Sequence, residues 1–517
     1  KSEEGNEELA HWLQDLAAQV AENVVETSPS LELLRQLLQV IVQEGDNLQD
    51  VYAVLGDNLD KLNDDFAEVM SSWVREILPS LDSETAKGLM QGIIELSNIL
   101  QQFSLGFVGE NIRISITGYE LGLTFFVRES YSIKWADLQI NLGVALSQLP
   151  WGERAENIER AIACYEAALE VYTRTAYPEQ WASIQNNLGA AFSERIKGER
   201  AENQERAIAH YKFALEVYTR SVYPEQWAMM QNNLGAAYSH RIKGKRAENL
   251  ERAIAYYKRA LSIYTPSSFP LNALQTGRNL GNLGYNLQNW EIAIEGYNQA
   301  ILAIEQSRYW ATSEATKREL IANCLDIYEN VVQACINNQD YPQALLTVER
   351  SKSRTLLELL DSANLYPKNA TNAQKQRISD LRRQIAIYQQ QLAYTPTTEN
   401  NLNQPSPETL IRQQLQAANQ QFQDLLTELD DPNFTLTQQV PAQLPDLRRL
   451  LPPQTALMEW YLPREEESGF YAFLVTRRDE QIQITPHHFS AEDREHLDQA
   501  PQDYRSDYGQ RSWNQQL

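Results

Sequence analysis

The chain has 517 residues, of which 43% are hydrophobic and 22% charged, and its formal net charge is −24. Such an excess of acidic side chains argues against nonspecific binding to nucleic acid or to anionic membranes. No apolar run approaches the roughly 18 residues that a membrane-spanning helix needs. The opening KSEEGNEELA lacks the basic start and apolar core of a secretory signal. We therefore expect a soluble cytoplasmic protein that does not engage membranes.

Residues 1–83 are predicted to form acidic N-terminal helices. Residues 1–110 contain 21 acidic and 5 basic side chains. The segments LELLRQLLQVIV from Leu31 and LDKLNDDFAEVMSSWVREIL from Leu59 place apolar residues at three- and four-residue intervals, which is the period of an amphipathic helix. Pro79 ends this pattern. A further helix, from about Ser83 to Phe103, then leads into the repeats.

Between about Gly106 and Ile304 the sequence repeats with a fixed period. Blocks of the form G-(E/K)-R-A-E-N-x-E-R-A-I-A-x-Y begin 46 residues apart. A second block, WASIQNNLGAAF from Trp181, recurs with the same period. A period of this length indicates stacked supersecondary units. The first blocks begin at Gly152, Gly198 and Gly244.

Small residues mark the places where two helices of one unit must approach closely. Gly189 lies on the first helix of a unit, and Ala207, Tyr211 and Ala214 share one face of the second. This is the small-and-aromatic spacing of a tetratricopeptide (TPR) helix pair, whose usual repeat is about 34 residues. We therefore predict a mainly α fold, with a TPR-type α-solenoid over residues 84–360.

The array is predicted to contain both 46-residue and standard-length units. Gly281 and Ala293 are 12 residues apart, whereas the equivalent Gly235 and Ala253 are 18 apart. The six extra residues of the long units are assigned to the turn between the two helices of a pair. A last helix pair is expected from about residue 313 to 360.

Residues 361–431 are predicted to form a linker and an antiparallel coiled-coil hairpin. Apolar residues recur at steps of three and four in two segments, and the polar loop TPTTENNLNQPSPE separates them. Matched seams joined by such a loop are typical of a helical hairpin. The seams are Ile378, Leu381, Ile385, Tyr388 and Leu392, and Ile411, Leu415, Ala418, Phe422, Leu425 and Leu429.

Beyond Asp431 the helical period gives way to short β runs. They are ALMEWYL from Ala456, GFYAFLVTR from Gly469 and EQIQIT from Glu480, and a helix is expected after Ser490. The segment LPPQTALMEWYL resembles the opening of the caspase-like domain in bacterial TPR proteins of the CHAT family. The resemblance implies that residues 432–517 are the beginning of a caspase-like α/β domain, which is incomplete here.

The CHAT family uses a cysteine nucleophile and a histidine base, since an imidazole can hold a thiolate ready for acyl transfer. The resemblance implies a Pro-His-Gly-type and a Ser-Ala-Cys-type stretch. Neither is present: Pro486-His487-His488 matches the first only superficially, and no cysteine follows Cys335. The chain is therefore predicted to have no catalytic residues and to be inactive, whereas a longer parent protein would be a cysteine endopeptidase.

The cysteines have no CxxC or metal-ligand spacing, which suits a reducing compartment. Since Cys164, Cys324 and Cys335 fall within helical apolar patterns, we predict buried structural thiols. No Gly-rich phosphate loop, His-x-x-x-His pair or carboxylate cluster is present. We expect no cofactor and no metal, and the sequence specifies no oligomeric state.

The first candidate binding surface is an asparagine ladder. Each member lies two residues before a repeat glycine, on the helix that lines the concave groove in TPR proteins. A column of amides could hydrogen-bond the backbone of an extended peptide. The alternative, which the sequence leaves open, is hydrogen bonding between adjacent repeats. The ladder is Asn141, Asn187, Asn233 and Asn279.

The second candidate surface is formed by basic turns. They could attract an acidic peptide, the acidic N-terminal helices of this chain or nucleic acid, although solvated loops are the simpler interpretation. The interleaved Glu199, Glu202 and Glu248 reduce the local field. The basic turns contain Arg195, Lys197, Arg200, Arg241, Lys243, Lys245 and Arg246.

Together these patterns predict the sensor and scaffold region of a caspase-like cysteine endopeptidase. A protein or peptide partner in the TPR groove would control the peptidase. The alternative is a non-enzymatic TPR interaction scaffold. A nucleic-acid adaptor ranks behind both, because of the acidic charge.

Overall fold

The computed structural model describes most of the chain and divides it after Ala253 into two compact units, which are taken separately below. The division falls inside the repeat array, so the predicted domain limits at residues 83, 360 and 431 remain predictions. The described residues are 28–44, 48–150, 152–310, 324–352, 366–367, 370–394, 407–429, 451, 455–463, 469–478 and 481–495.

Among the described residues of the first unit, three α-helices precede the repeats: α1 (Pro29–Glu44), α2 (Leu48–Asp57) and α3 (Asp64–Ile77). The periodicity of the run from Leu59 predicted a single helix, but the structure divides this run into two helical segments. Leu59–Lys61 forms a short 3-10 helix, and the Asn63 side chain then accepts a hydrogen bond from the Phe66 amide at 3.2 Å, which caps a new helix. A local cap therefore overrides the apolar period.

Antiparallel helix pairs follow, and the structure confirms the predicted solenoid of repeated pairs. In the first three pairs the second helix contacts the first and also contacts the helix that follows it. In the fourth pair the guanidinium carbon of Arg252 lies 5.8 Å from the ring centre of Tyr238. The pairs are α4 (Ser83–Gln102) with α5 (Val108–Phe125), α6 (Ser132–Gln148) with α7 (Arg154–Ala168), α8 (Pro178–Glu194) with α9 (Arg200–Ala214), and α10 (Pro224–Ser239) with α11 (Arg246–Leu261).

The repeat glycines let the two helices of a pair approach closely, as the sequence predicted. A Cβ added at Gly189 would lie 2.5 Å from Cε1 of Tyr211, and one at Gly143 would lie 2.6 Å from Cε1 of Tyr165. Both tyrosines are buried. Only a hydrogen fits between backbone and ring, so the glycines fix the position of the tyrosine.

The extra residues of the long units are not all in the turn, which corrects the prediction. Five residues, 195–199, separate α8 from α9, whereas three, 287–289, separate the standard-length pair. The other four residues extend the start of the second helix: Arg200 opens α9 seven residues before Ala207, whereas its counterpart opens three before Ala293. The second helix of the long unit therefore starts four residues earlier relative to its repeat alanine.

In the second unit the standard-length pair is α12 (Pro270–Asn286) with α13 (Trp290–Trp310). It is followed by α14 (Leu325–Asn337) and α15 (Tyr341–Lys352), which form the last predicted pair. The predicted ends of that pair, near residues 313 and 360, lie outside the described residues.

The predicted hairpin consists of α16 (Asn372–Tyr394) and α17 (Pro407–Leu429), which pack on each other. Its apolar core confirms most of the predicted seam; the side chain of Leu392 lies outside the described residues. The core contains Ile378, Leu381, Ile385, Leu415, Ala418, Phe422 and Leu425, with Tyr388 and Leu429 partly buried against it.

The β region is a three-stranded antiparallel sheet in the order β1-β2-β3. The strands are β1 (Ala456–Tyr461), β2 (Phe470–Arg478) and β3 (Gln481–Phe489), and residues 491–495 are helical as expected. The third strand runs past the predicted EQIQIT because each of its residues pairs with β2, from Gln481 opposite Arg478 to Phe489 opposite Phe470.

The sheet shares an apolar core with the last helices of the array. Phe473 and Val475 of β2 are fully buried, and Tyr461 of β1 lies in the same cluster. The helical side of the cluster comes from α13, α14 and α15, with Ile327 and Leu345 among its fully buried members. The sheet is therefore seated on helices and is not an independent appendage.

Candidate functional site: the asparagine ladder and the helix-pair turns

The ladder asparagines occupy equivalent places on successive helices. Asn141 lies on α6, Asn187 on α8 and Asn233 on α10, all within the first unit and all partly buried. Asn279 has the same position on α12 in the second unit and is also partly buried. Each amide is therefore packed at its base and reaches solvent at one side.

Neighbouring asparagines join the ladder into a chain of hydrogen bonds across two repeats. The Nδ2 group of Asn233 donates to Oδ1 of Asn186 at 3.1 Å, and Asn186 Nδ2 donates to Oδ1 of Asn187 at 3.4 Å. Asn232 Nδ2 donates to Oδ1 of Asn233 at 3.4 Å. We call these four side chains the amide relay.

The other two ladder members make comparable contacts. Asn141 Nδ2 donates to Oδ1 of Asn98 on α4 at 3.2 Å, and Asn279 Oδ1 accepts from Nε2 of Gln275 at 3.0 Å. Asn141 and Asn233 thus make the inter-repeat hydrogen bonds that were the structural alternative, whereas the bonds of Asn187 and Asn279 lie within their own helices. Because an amide has two N–H donors and two acceptor lone pairs, one bond of each kind leaves further capacity for a ligand.

The helix face around the last three ladder positions carries few charges, whereas the equivalent positions before Asn141 on α6 are Lys134 and Asp137. On α8, α10 and α12 the positions seven and four residues before each asparagine, and three after it, share its face of the helix. All are uncharged, in a chain whose charged fraction is 22%. They are Gln180, Ser183 and Ala190; Gln226, Met229 and Ala236; and Asn272, Gln275 and Asn282.

The basic turns hold neighbouring repeats together. Arg195 donates to both carboxylate oxygens of Glu159 in the preceding repeat, with Nε–Oε1 and Nη2–Oε2 distances of 2.7 and 2.8 Å. Arg241 makes the same forked contact with Glu205. Hydrogen bonding to these arginines lowers the pKa of both glutamates. Two of the predicted binding cations are thus structural.

Other members of the basic turns are also engaged. Lys243 pairs with Glu202 and Lys245 with Glu248, each at 2.9 Å, and the Arg246 guanidinium donates to the Ser239 carbonyl at 2.6 Å. The remaining two, Lys197 and Arg200, are exposed.

A depression of about 510 Å³ beside these turns is lined by both signs of charge. Arg195, Arg206 and Lys243 face it together with Glu199 and Glu202. Since Arg195 is already paired with Glu159 and Lys243 with Glu202, the depression does not form an anion site.

A buried asparagine near the start of the second helix bonds back to the carbonyls of the preceding turn. This role was not assigned from the sequence. Asn203 Nδ2 donates to the carbonyls of Arg195 at 3.2 Å and Lys197 at 2.9 Å. Its counterparts Asn111 and Asn249 contact the carbonyls eight and six residues earlier in the same way. The sequence signal for this role was an asparagine that recurs every 46 residues after a glutamate, in register with the repeat glycines.

Each long-unit tryptophan is covered by an arginine seven residues earlier. The guanidinium carbon of Arg174 lies 5.7 Å from the ring centre of Trp181, and Arg128 and Arg220 stand at 5.5 and 5.4 Å over Trp135 and Trp227. Arg174 also forms an ion pair with Glu216 of the next repeat. The tryptophans therefore serve the packing of the array.

The thiols are placed for packing. Cys335 and Cys324 are buried as predicted, whereas Cys164 is only partly buried. Burial raises the pKa of Cys335 to about 12 and that of Cys164 to about 11. Burial also raises the pKa of the Cys324 thiol. A thiolate is the reactive form, so at neutral pH these groups are poor nucleophiles.

The histidines of the β region lie within strand β3 and are exposed. His487 is opposite Ala472, and the ring of His488 lies 4.7 Å from that of Tyr471. Across the described ranges, no three His, Cys, Asp or Glu side chains are grouped closely enough to hold a metal. Over the same part of the chain, no helix has the length and apolar character needed to cross a membrane.

Comparison with known families identifies the class of protein. The family model described as SNAP, soluble NSF attachment protein, matches residues 155–364, about two fifths of the chain. The match starts in α7 and covers the array through α15. Fold and match together define a TPR-like helical-repeat protein of the interaction-scaffold type. The match ends before the sheet and does not bear on a caspase-like domain. No curated protein matches the chain.

Proposed function

We propose that the chain is an interaction scaffold that holds an extended protein segment along the ladder asparagines of the first unit, Asn141, Asn187 and Asn233. The observation that carries this proposal is the amide relay on an uncharged helix face. An extended segment offers one donor and one acceptor per residue, which is what a row of half-satisfied amides can pair with.

The surroundings of the relay favour a partner segment without charge. A charged side chain laid on this face would lose hydration without gaining an opposite charge, which costs free energy. An uncharged segment pays less for the same contact. We therefore propose a partner region rich in Ser, Thr, Asn or Gln, whose affinity changes little with salt.

Binding of synthetic peptides to the full chain tests this function. The probes are extended peptides of about 12 residues, long enough to span two units, in one uncharged set and one set with Glu or Lys interspersed. The Asn187→Ala, Asn233→Ala double variant should weaken an uncharged binder about 30-fold, from roughly 1 kcal/mol for each lost hydrogen bond.

The matched control is Thr175→Ala with Ser221→Ala, which removes two exposed polar groups at the opposite ends of the helices. It should leave peptide affinity unchanged. Unaltered affinity in the asparagine variant, accompanied by lower thermal stability, would show that the relay only supports the fold.

The finer proposal is that this scaffold controls a caspase-like cysteine endopeptidase in the same polypeptide. Two observations support it. The segment resembling the CHAT opening contains β1, which forms an antiparallel sheet with β2. That sheet shares its core with α14 and α15, so a change in the array could reach it directly.

Reading the coding sequence beyond Leu517 tests the peptidase proposal. A histidine and a cysteine in the two family motifs would support it, and their absence would favour the pure scaffold. The chain as given should not hydrolyse peptides. Thiol-dependent hydrolysis that disappears when Cys164, Cys324 and Cys335 are all replaced by Ala would contradict that expectation.

A further inference from the structure

An ion pair joins the second helices of the first two pairs, and its counterpart later in the first unit has lost the acidic partner. Arg160 Nη2 on α7 lies 2.6 Å from Glu120 Oε1 on α5. Two periods of the repeat later, the equivalent positions hold Lys212 on α9 and Arg252 on α11. Both are exposed, and among the described residues neither forms an ion pair. Two like charges therefore replace a pair of opposite charges.

These two cations converge on one buried ring. Tyr238 of α10 is 2% exposed. The ammonium nitrogen of Lys212 and the guanidinium carbon of Arg252 lie 5.7 and 5.8 Å from its ring centre. The guanidinium carbon of Arg241 lies at 5.3 Å. Burial by itself would raise the pKa of the Tyr238 phenol, but hydrogen bonds from Lys212 and Arg252 lower it below its usual value. One aromatic ring thus gathers three positive charges.

The carboxylates of α9 and α11 compensate only part of this charge. Glu205 is bonded to Arg241 through both of its oxygens, at 2.7 and 2.8 Å. Glu202 and Glu248 are already paired with lysines of the turn between α10 and α11. Glu251 does not face the arginine that follows it, because adjacent residues of a helix point in different directions. Three cations and one carboxylate leave an excess of two positive charges at the ring, in a chain whose net charge is −24.

The preceding repeat has the same arrangement with its charges balanced. Its ring is Phe192, and the guanidinium carbons of Arg195 and Arg206 lie 5.6 and 5.4 Å from the ring centre. Arg195 is bonded to Glu159, and Glu166 occupies the position of the later lysine. Two cations therefore meet two carboxylates, beside a ring that has no hydroxyl. The following repeat introduces the hydroxyl and the additional cation together, which distinguishes a binding site from ordinary packing of the array.

We propose that Lys212 and Arg252 bind a dianionic phosphoryl group of a ligand beside the Tyr238 ring. Its oxygens take the place that the Glu120 carboxylate has at Arg160. A phosphate monoester carries a charge of about −1.5 to −2 at neutral pH, which matches the excess of two positive charges, whereas a carboxylate would leave one of them uncompensated. Arginine and lysine both donate charge-assisted hydrogen bonds to phosphate oxygens. The proposal does not rest on peptide binding at the ladder.

Calorimetric titration of the full chain at low salt tests the site. The probes are a short alanine–glycine peptide with one central phosphoserine, the same peptide with serine or glutamate there, and inorganic phosphate. The phosphopeptide should bind at least about ten-fold more tightly than the serine and glutamate peptides, because charge-assisted hydrogen bonds are roughly twice as strong as neutral ones. Inorganic phosphate that binds as tightly as the phosphopeptide would identify the free ion as the source of the group, and weaker binding would identify a phosphorylated protein segment.

Charge-reversed variants locate the binding. Lys212→Glu restores the residue of the earlier repeats, so the chain should fold normally in urea unfolding but lose its preference for the phosphopeptide. The matched control, Lys197→Glu, makes the same charge reversal at an exposed lysine of the turn before α9 and should keep the preference. Arg252→Gln, which removes one charge without reversing it, should also weaken the preference.

Three results would overturn the proposal. The first is equal binding of the phosphorylated and serine peptides by the unmodified chain. The second is a preference that persists in both Lys212→Glu and Arg252→Gln, since the phosphoryl group would then bind elsewhere. The third is a glutamate peptide that binds as tightly as the phosphopeptide, because the site would then select a carboxylate.

Discussion

Replacing Asn203 by Ala tests the internal tether of the 46-residue unit. The side chain is 4% exposed and donates to the carbonyls of Arg195 and Lys197. Two hydrogen bonds of about 1 kcal/mol each are lost, together with a long one of 3.4 Å from Arg195 Nη1 to the Asn203 side-chain oxygen, which contributes little. The better helix propensity of alanine returns roughly 0.5 kcal/mol. We therefore expect the free energy of unfolding to fall by about 1.5 kcal/mol.

The assay is urea unfolding followed by circular dichroism, with amide hydrogen exchange in the turn. The control is Glu202→Ala, which removes an exposed ion pair with Lys243 and gains less helix propensity, because Glu is already a good helix former. The Asn203→Asp variant should lose more stability than Asn203→Ala, because a carboxylate would face two carbonyl oxygens. Its deficit should grow as pH rises above about 4, where the carboxyl ionises.

The reasoning would be refuted if Asn203→Ala were no less stable than Glu202→Ala. That result would mean that the turn carbonyls are equally well satisfied by water. Faster exchange confined to the amides of residues 196–198, with global stability unchanged, would also contradict the expected coupling between turn and array.

Three further predictions follow from the packing of the array. Gly189→Ala should lower the free energy of unfolding by about 1–3 kcal/mol in urea titration, because its Cβ would overlap the buried Tyr211 ring, and an unchanged midpoint would disprove the close approach. Burial lowers the pKa of His210 to about 4; the unfolded chain, with a pKa of about 6.5, therefore binds the proton first as pH falls. Stability should decline from pH 6.5 to 4, and the decline should flatten in His210→Cys, which carries the residue of the preceding repeat; equal slopes would exclude this histidine as the cause. Cys335 and Cys164 should react with a thiol reagent at neutral pH far more slowly than a free cysteine until denaturant is added, and rapid labelling of the native chain would contradict their burial.

The repeat and its helix pairs could be predicted from the sequence because their determinants are local and periodic. Gly189 and Tyr211 are 22 residues apart, yet the repetition of that spacing in neighbouring units indicates that the two positions meet. The hairpin seam was predictable for the same reason, since apolar residues at steps of three and four define one face of a helix. Helix boundaries were harder to predict: inside the periodic run that begins at Leu59, the Asn63 side chain caps the start of a new helix.

Only the tertiary structure decided what the charged and amide side chains do. Arg195 and Glu159 are 36 residues apart and become partners because stacking brings consecutive units together. The same stacking links Asn233 to Asn186, which turns a column of similar residues into a connected relay. Periodicity shows which residues are equivalent, but hydrogen-bond partners depend on distances of a few ångströms that the packing of large side chains sets. The sequence by itself therefore determined the repeat and its faces, and the packed structure determined which polar groups are already engaged and which remain for a partner.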